Sequence, residues 1–327
     1  MKAVIAEAGI LRDAELPDPV PGEHDLLVAV RAVSVNPVDT KVRRRASADG
    51  QPRVLGWDAA GVVLACGSAV AGFAVGNEVF YAGSMARPGC DSECHAVDAR
   101  IVGPKPASLS FAEAAALPLT AITAWEMLFD RLQLPTGGEA GTLLVVGGAG
   151  GVGSIAVQLA RQRTGARIVA TASRPETRDW CLSLGAHDVI DHAGDMPAQL
   201  KSLGIRGVER IFCTQGTDLH WKALVRALAP QGRLGVIDDP EAFDVRELKP
   251  KSASLHWEAM FARSGFGTPD MIEQQSLLRQ VSALVDAGHV RTTLAETYGT
   301  INAANLNRAH SAIEAGRTRG KIVLEGF

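Results

Sequence analysis

The apolar positions change their period along the chain. Through roughly the first hundred residues, short β-branched runs alternate with turn residues. Ala3-Val4-Ile5 is followed by Pro17-Asp18-Pro19-Val20-Pro21-Gly22, and then by runs at Asp25 to Val33, Gly61 to Leu64 and Asn77 to Tyr81. This pattern predicts a mostly antiparallel, barrel-like β domain. At Ser110-Phe111-Ala112-Glu113, a serine followed three residues later by glutamate makes a capping box that opens an alanine-rich helix. From Thr142 onward, apolar strands alternate with helical stretches: Leu143 to Val146, a helix after Gly153, then Arg167 to Ala170, Asp188 to Ile190, Arg210 to Cys213 and Arg233 to Ile237. Alternation of this kind predicts a parallel, doubly wound sheet, so the fold class is α/β with a separate β domain in front. A helix is expected from about Met271 to Ala287. The closing Gly320-Lys321-Ile322-Val323-Leu324 returns to strand character and is expected to rejoin the first domain.

Composition narrows the function. A chain of 327 residues, 46% of them hydrophobic, can bury a full core and is expected to form two domains. The 33 basic and 36 acidic residues leave a formal charge of −3, which gives no field to gather nucleic acid or an anionic membrane. No aromatic residues interleave with basic ones as in a nucleic-acid platform. The expected partner is a small molecule. Five scattered cysteines and an amino terminus without the regions of a secretion signal point to the cytoplasm. Ala59 to Gly76 and Thr142 to Ala160 carry no charge over lengths approaching a membrane span. Both are glycine-rich and read as strand–turn–strand and strand–loop–helix, so no membrane segment is expected.

Gly148-Ala149-Gly150-Gly151-Val152-Gly153 is the only Gly-x-Gly-x-x-Gly match. The pattern alone is weak, but here it follows an apolar strand and opens an amphipathic run at Ile155, Ala156, Leu159 and Ala160, the context that dinucleotide binding requires. Gly148 allows the tight turn, Gly150 lets the backbone approach the pyrophosphate, and Gly153 lets the helix pack on its strand with its N-terminus facing the phosphates, and Gly151 and Val152 are expected to bind the cofactor with them. At the end of the second strand, where an NAD enzyme places an acid for the ribose hydroxyls, the chain reads Thr171-Ala172-Ser173-Arg174, with Arg178 one turn further on. A hydroxyl and guanidinium groups suit a 2′-phosphate, so the cofactor expected is NADPH. The alternative is that Ser173 and Glu176 form another capping box and the arginines are merely solvated.

Several separated motifs agree with this picture: Ser34-Val35-Asn36-Pro37-Val38-Asp39, Gly56-Trp57-Asp58-Ala59-Ala60-Gly61, the glycine loop and the terminal Gly320 to Leu324. Together they resemble the zinc-free quinone oxidoreductase branch of the medium-chain dehydrogenase/reductase superfamily, and particularly the group labelled zinc-type alcohol dehydrogenase-like. The resemblance spans essentially the whole chain. It implies a GroES-like β-barrel catalytic domain over 1–120, a Rossmann NADPH-binding domain over 121–264, a return segment over 265–327, and a homodimer. Zinc members of the superfamily resemble this chain but carry cysteine where Asn36 stands and histidine followed by glutamate where Trp57-Asp58 stand. Asparagine and tryptophan supply neither thiolate nor imidazole, so no metal is expected. Cys90, Cys94 and His95 form the remaining metal-like cluster, without a fourth ligand or paired Cys-x-x-Cys spacing.

Without a Lewis acid, the chemistry implied is hydride transfer to an already electrophilic acceptor, a quinone or an α,β-unsaturated carbonyl, with protonation from solvent. By resemblance, Asn36 and Asp39 are expected beside the nicotinamide, with Lys41, Trp57 and Tyr81 as weaker candidates, the Tyr81 phenol being suited to orient a carbonyl. Thr120 is expected near the nicotinamide and Lys321 near the phosphates. Structural alternatives stand beside these roles: Asn36-Pro37 as a turn, Asp39 as the cap of a helix from Thr40, and Tyr81 as packing. Two other functions compete, a zinc-dependent alcohol dehydrogenase and a non-catalytic NADPH-binding sensor.

Overall fold

The computed structural model describes residues 1–49 and 51–327, with side chains described outside 46–50. The early apolar runs become β1 (Lys2–Glu7), β2 (Ile10–Glu15) and β3 (Asp25–Ser34). Alternate residues of β3, Leu26, Val28, Val30 and Ala32, are buried, the period-two signature of a strand with one face in the core. Helix α1 (Pro37–Asp49) follows, then β4 (Arg53–Val54), β5 (Ala59–Cys66), β6 (Glu78–Tyr81), β7 (Cys94–Asp98) and β8 (Val102–Pro104).

The capping box forms as the spacing predicts. The Ser110 Oγ accepts from the Glu113 N–H at 3.2 Å, and the Glu113 carboxylate accepts from the Ser110 N–H at 2.9 Å. The expected single alanine-rich helix is broken in two, α2 (Phe111–Ala115) and α3 (Pro118–Trp125), because Pro118 has no N–H to continue the first ladder and a φ suited to opening the second. A π-helical turn, Glu126–Arg131, extends α3.

The parallel sheet contains β9 (Glu139–Val146), β10 (Gly165–Thr171), β11 (Asp188–Ile190), β12 (Val208–Cys213), β13 (Leu228–Val236) and β14 (Ser254–Trp257), in the order β11-β10-β9-β12-β13-β14. Its crossovers include α4 (Gly151–Arg163), α5 (Pro175–Ser183), α6 (Met196–Ser202) and α7 (Thr217–Ala227). The order reverses at β9, so the crevice beyond the carboxyl ends of β9 and β12 is a topological switch point. Edge strand β14 escapes the pattern because Ser254-Leu255-His256-Trp257 has no apolar run and Trp257 is half exposed.

The chain ends with α8 (Ala262–Phe266), α9 (Glu273–Asp286), β15 (Leu294–Thr297), α10 (Ala303–Glu314) and β16 (Lys321–Glu325). Strand β16 pairs antiparallel with β3, Val323 opposite Ser34 and Leu324 opposite Val33, so the closing segment returns to the first sheet. That sheet runs β15-β16-β3-β5-β6-β8, with β7 also on β3, and a smaller sheet runs β2-β1-β4. Contacts group residues 1–122 with 261–327 in one unit and 123–260 in the other. The first unit carries the GroES-like β domain and the second the Rossmann-like parallel sheet. Among the described residues no helix is long and apolar enough to cross a membrane.

Candidate active site

In the first unit, Asp58 lies at the centre of a buried polar cluster. Gly56 adopts φ +97°, and a Cβ there would sit 2.5 Å from Asp91 Oδ1, so this turn accepts only glycine. Two residues on, the fully buried Asp58 accepts through Oδ2 from Ser34 Oγ at 2.8 Å, Asn36 Nδ2 at 2.9 Å and Lys321 Nζ at 3.0 Å, and through Oδ1 from the Leu119 N–H at 2.7 Å. A buried carboxylate is tolerated only when paired and hydrogen-bonded in this way.

Lys321 requires a correction. It was expected at the cofactor phosphates, yet its buried ammonium donates to Asp58, to the Val35 carbonyl at 3.0 Å and to Asn36 Oδ1. An ammonium has three donors, and all three are engaged, so none is left for a phosphate. Asn36 is likewise held: Oδ1 accepts from Lys321, one Nδ2 hydrogen goes to Asp58, and the carbonyls of Ser34 and Trp57 lie only at 3.4 and 3.5 Å for the other. Asp39 does not cap a helix at Thr40. Helix α1 begins at Pro37, and Asp39 in its first turn reaches back to accept from the Asn36 N–H at 2.5 Å. Burial pushes its carboxyl up to about 7 against the opposing pull of that N–H and of Lys321, and Oδ1 is buried without a hydrogen-bond partner among the described residues.

Tyr81, at the end of β6, is fully buried, with its hydroxyl 3.2 Å from His95 Nδ1 and the two rings stacked. His95 Nε2 faces the Pro88 carbonyl at 3.0 Å, which can only accept, so Nε2 carries the proton and Tyr81 donates to Nδ1. Burial holds this imidazole neutral, lowering it to about 4. The phenol expected to orient a substrate carbonyl is therefore engaged with His95. The same two bonds occupy both nitrogens of the histidine in the Cys90, Cys94, His95 set. Thr120, buried on α3, donates to the Leu117 carbonyl at 3.0 Å. Trp57 is buried with Phe261 edge-on at 6.2 Å between centroids, and its indole N–H has no acceptor among the described residues.

In the second unit the loop glycines have separable duties. A Cβ on Gly153 would lie 2.2 Å from the Gly147 carbonyl oxygen, and one on Gly148 would lie 2.7 Å from the Ala170 Cβ, so both are required by packing. At Gly150 the nearest atom would be 3.5 Å away, an ordinary contact. The protein itself makes no use of the missing side chain there, which leaves a cradle open to a phosphate. Gly150 is also the N-cap of α4 and offers no capping side chain, so the first amides of the helix, from Gly151, Val152 and Gly153, are available to an anion. Thr171 fixes the loop by accepting from the Gly147 N–H at 3.0 Å. A dinucleotide fits these residues.

At the end of β10, the alternative capping box does not form. Helix α5 starts at Pro175, and Thr177, rather than Glu176, exchanges bonds with the Arg174 backbone. Ser173 is exposed, Arg174 pairs with Glu176 at 3.2 Å on the surface, and Arg178 is half-buried on the next turn.

An alcohol dehydrogenase GroES-like domain model matches residues 22–126, and a zinc-binding dehydrogenase model matches 184–324. A zinc-type alcohol dehydrogenase-like protein of Staphylococcus aureus is 39% identical over 324 residues, covering 98% of this chain and 96% of that protein. The chain belongs to the medium-chain dehydrogenase/reductase superfamily. A Rhizobium etli crystal structure, described as a zinc-dependent alcohol dehydrogenase, superposes with a TM-score of 0.97 at 55% identity, covering 100% of this chain and 98% of that one. The quinone oxidoreductase of Coxiella burnetii superposes at 0.82 with 26% identity, covering 100% and 99%. This member of the superfamily is accordingly an oxidoreductase that uses a nicotinamide cofactor.

The superfamily's catalytic zinc does not fit the residues present. Asn36 and Trp57 offer no thiolate or imidazole, and the Lys321 ammonium already supplies a cation to Asn36 and Asp58. Among the described residues no three His, Cys, Asp or Glu side chains are placed to share an ion. In the sequence Asn36 and Asp39 stand out as candidates, whereas Asp58, Ser34 and Thr171 occur only inside motifs, without a role of their own. For Asp58 a signal existed: an acid inside the otherwise apolar Gly56 to Leu64 requires a buried cation.

Proposed function

We propose that the protein passes hydride from NADPH to a quinone or an α,β-unsaturated carbonyl, without a metal. The observation that carries this reading is the Asp58–Lys321–Asn36 cluster, in which an internal ammonium lies at the positions that supply zinc ligands in other members of the superfamily. NADPH, when bound, supplies the hydride. The first-turn amides of α4 and the open face of Gly150 would hold its pyrophosphate. Ser173, Arg174 and Arg178 would grip the 2′-phosphate, since an exposed Arg174–Glu176 pair contributes little and exchanges readily for a phosphate. In the first unit, the Trp57 indole N–H, which has no acceptor among the described residues, is the donor offered to an acceptor's oxygen as charge develops on it. With its carboxyl near 7, Asp39 can hold a proton at Oδ1 close to neutrality.

The test is NADPH oxidation above the no-enzyme rate with 1,4-benzoquinone, 9,10-phenanthrenequinone and small enones, with and without a chelator. Turnover that requires stoichiometric zinc would favour the alcohol dehydrogenase reading. Tight NADPH binding with no oxidation across the panel would favour a sensor. Arg174→Ala should raise the Michaelis constant for NADPH much more than that for NADH, and an equal effect on both would remove the cofactor assignment.

A further inference from the structure

We infer a second ligand site in the parallel-sheet unit, at the opposite end of the sheet from the glycine loop, suited to a small organic anion with an apolar body. Gly207 leads into the first residue of β12 and Ala227 into the first residue of β13. Beside them opens a cavity of about 520 Å³, within the size range that encloses small molecules. The cofactor loop follows the carboxyl end of β9, and the strands are parallel, so the cavity lies at the amino-terminal edge, away from the switch point.

Its lining joins two chemistries. Leu200, Ile205 and Ala227 are buried members of the unit's core and form an apolar floor. Lys201, Arg206 and Arg226 bring three cations to the same cavity, and no acid lines it, in a chain whose net charge is −3. Arg226 makes an exposed pair with Asp195 at 3.4 Å, while the side chains of Lys201 and Arg206 hold no ion pair among the described residues.

Cations beside helix carboxyl ends often serve only to cap them. Here that duty is filled by other groups. The end of α6 is closed by backbone, with the N–H groups of Leu203, Gly204 and Ile205 donating to Gln199, Lys201 and Leu200. The end of α7 is closed by Lys251, whose ammonium donates to the carbonyls of Val225 at 2.8 Å, Arg226 at 3.0 Å and Leu228 at 2.5 Å. The positive charge around the cavity is thus surplus to the needs of the fold. A carboxylate or sulfonate at the rim would meet Lys201 and Arg206, and an aliphatic or aromatic skeleton would cover Leu200 and Ile205.

The test uses 8-anilinonaphthalene-1-sulfonate as the probe, titrated by fluorescence into the full chain with and without saturating NADPH. The expected result is a probe site that survives NADPH, weakens by roughly tenfold in Lys201→Glu/Arg206→Glu, and is emptied by decanoate but not by an equal concentration of sulfate. The milder Lys201→Gln/Arg206→Gln variant carries the same test should charge reversal lower the unfolding temperature. Probe binding that is unchanged in these variants, that is abolished by NADPH, or that sulfate displaces as well as decanoate would overturn the inference. Because no outcome depends on turnover, failure of this site and failure of the proposed activity are independent.

Discussion

The same substitution at two positions of the glycine loop should fail in two different ways. At Gly150 the backbone is extended, φ −71° and ψ 173°, a conformation alanine adopts freely, and the new Cβ would meet nothing closer than 3.5 Å. The loss of an N-cap glycine and the smaller entropy of the unfolded chain nearly cancel, each within about 1 kcal/mol, so Gly150→Ala should fold as the parent does. The methyl group would occupy the space a pyrophosphate needs. Losing one charge-assisted bond to the helix amides, about 1.5–3 kcal/mol, weakens NADPH by about one to two powers of ten. At Gly153 the new Cβ would lie 2.2 Å from the Gly147 oxygen and 2.7 Å from the Gly148 Cα, so α4 must move away from the loop after β9. Overpacking of this kind costs about 1–3 kcal/mol, only partly offset by alanine's better helix propensity. Urea unfolding and titration of NADPH by its own fluorescence separate the cases. A Gly150→Ala protein that binds NADPH as tightly as the parent, or a Gly153→Ala protein with parental stability, would refute the division of labour.

Other outcomes follow from the buried polar groups. Lys321→Met should destabilise by about 3–5 kcal/mol because it leaves the Asp58 carboxylate buried without its cation, and adding Asp58→Asn should recover much of the loss. A double-mutant cycle in urea with no coupling between the two positions would contradict that picture. Tyr81→Phe should lower stability by about 1–3 kcal/mol, since His95 Nδ1 loses its donor, yet leave kcat within about twofold, and a collapse of kcat would return the phenol to the chemistry. His310, buried on α10 with both ring nitrogens unpartnered among the described residues, is lowered to about 4 by burial. The unfolded chain, with its ordinary value of 6.5, binds the proton more readily. Stability from this site is therefore present above pH 6.5 and lost as pH falls toward 4. His310→Leu should be neutral or stabilising and should flatten that acid limb, and an unchanged pH profile of unfolding would show that His310 does not contribute to it.

Hydrophobic periodicity was enough to call the α/β class, the early antiparallel strands and the parallel alternation after Thr142, because strand and helix periods depend on local backbone geometry. The glycine loop was legible for the same reason: its requirement is a short, contiguous stretch between one strand and one helix. Asn36 and Asp39 were visible as motif residues, but their states were not. Lys321 lies 285 residues from Asn36 and 263 from Asp58, and only the pairing of β16 with β3 brings its ammonium to both. Tyr81 could be noticed in the sequence, but its hydroxyl's direction depends on His95 and, through the tautomer, on the Pro88 carbonyl. Strand β14 depends on an available sheet edge rather than on an apolar run of its own. Sequence alone thus determined what is local: element type, turn chemistry and the nucleotide loop. Tertiary structure decided which buried charges neutralise one another and which donors remain free, because burial and partnership are set by side chains that meet only after the chain has folded.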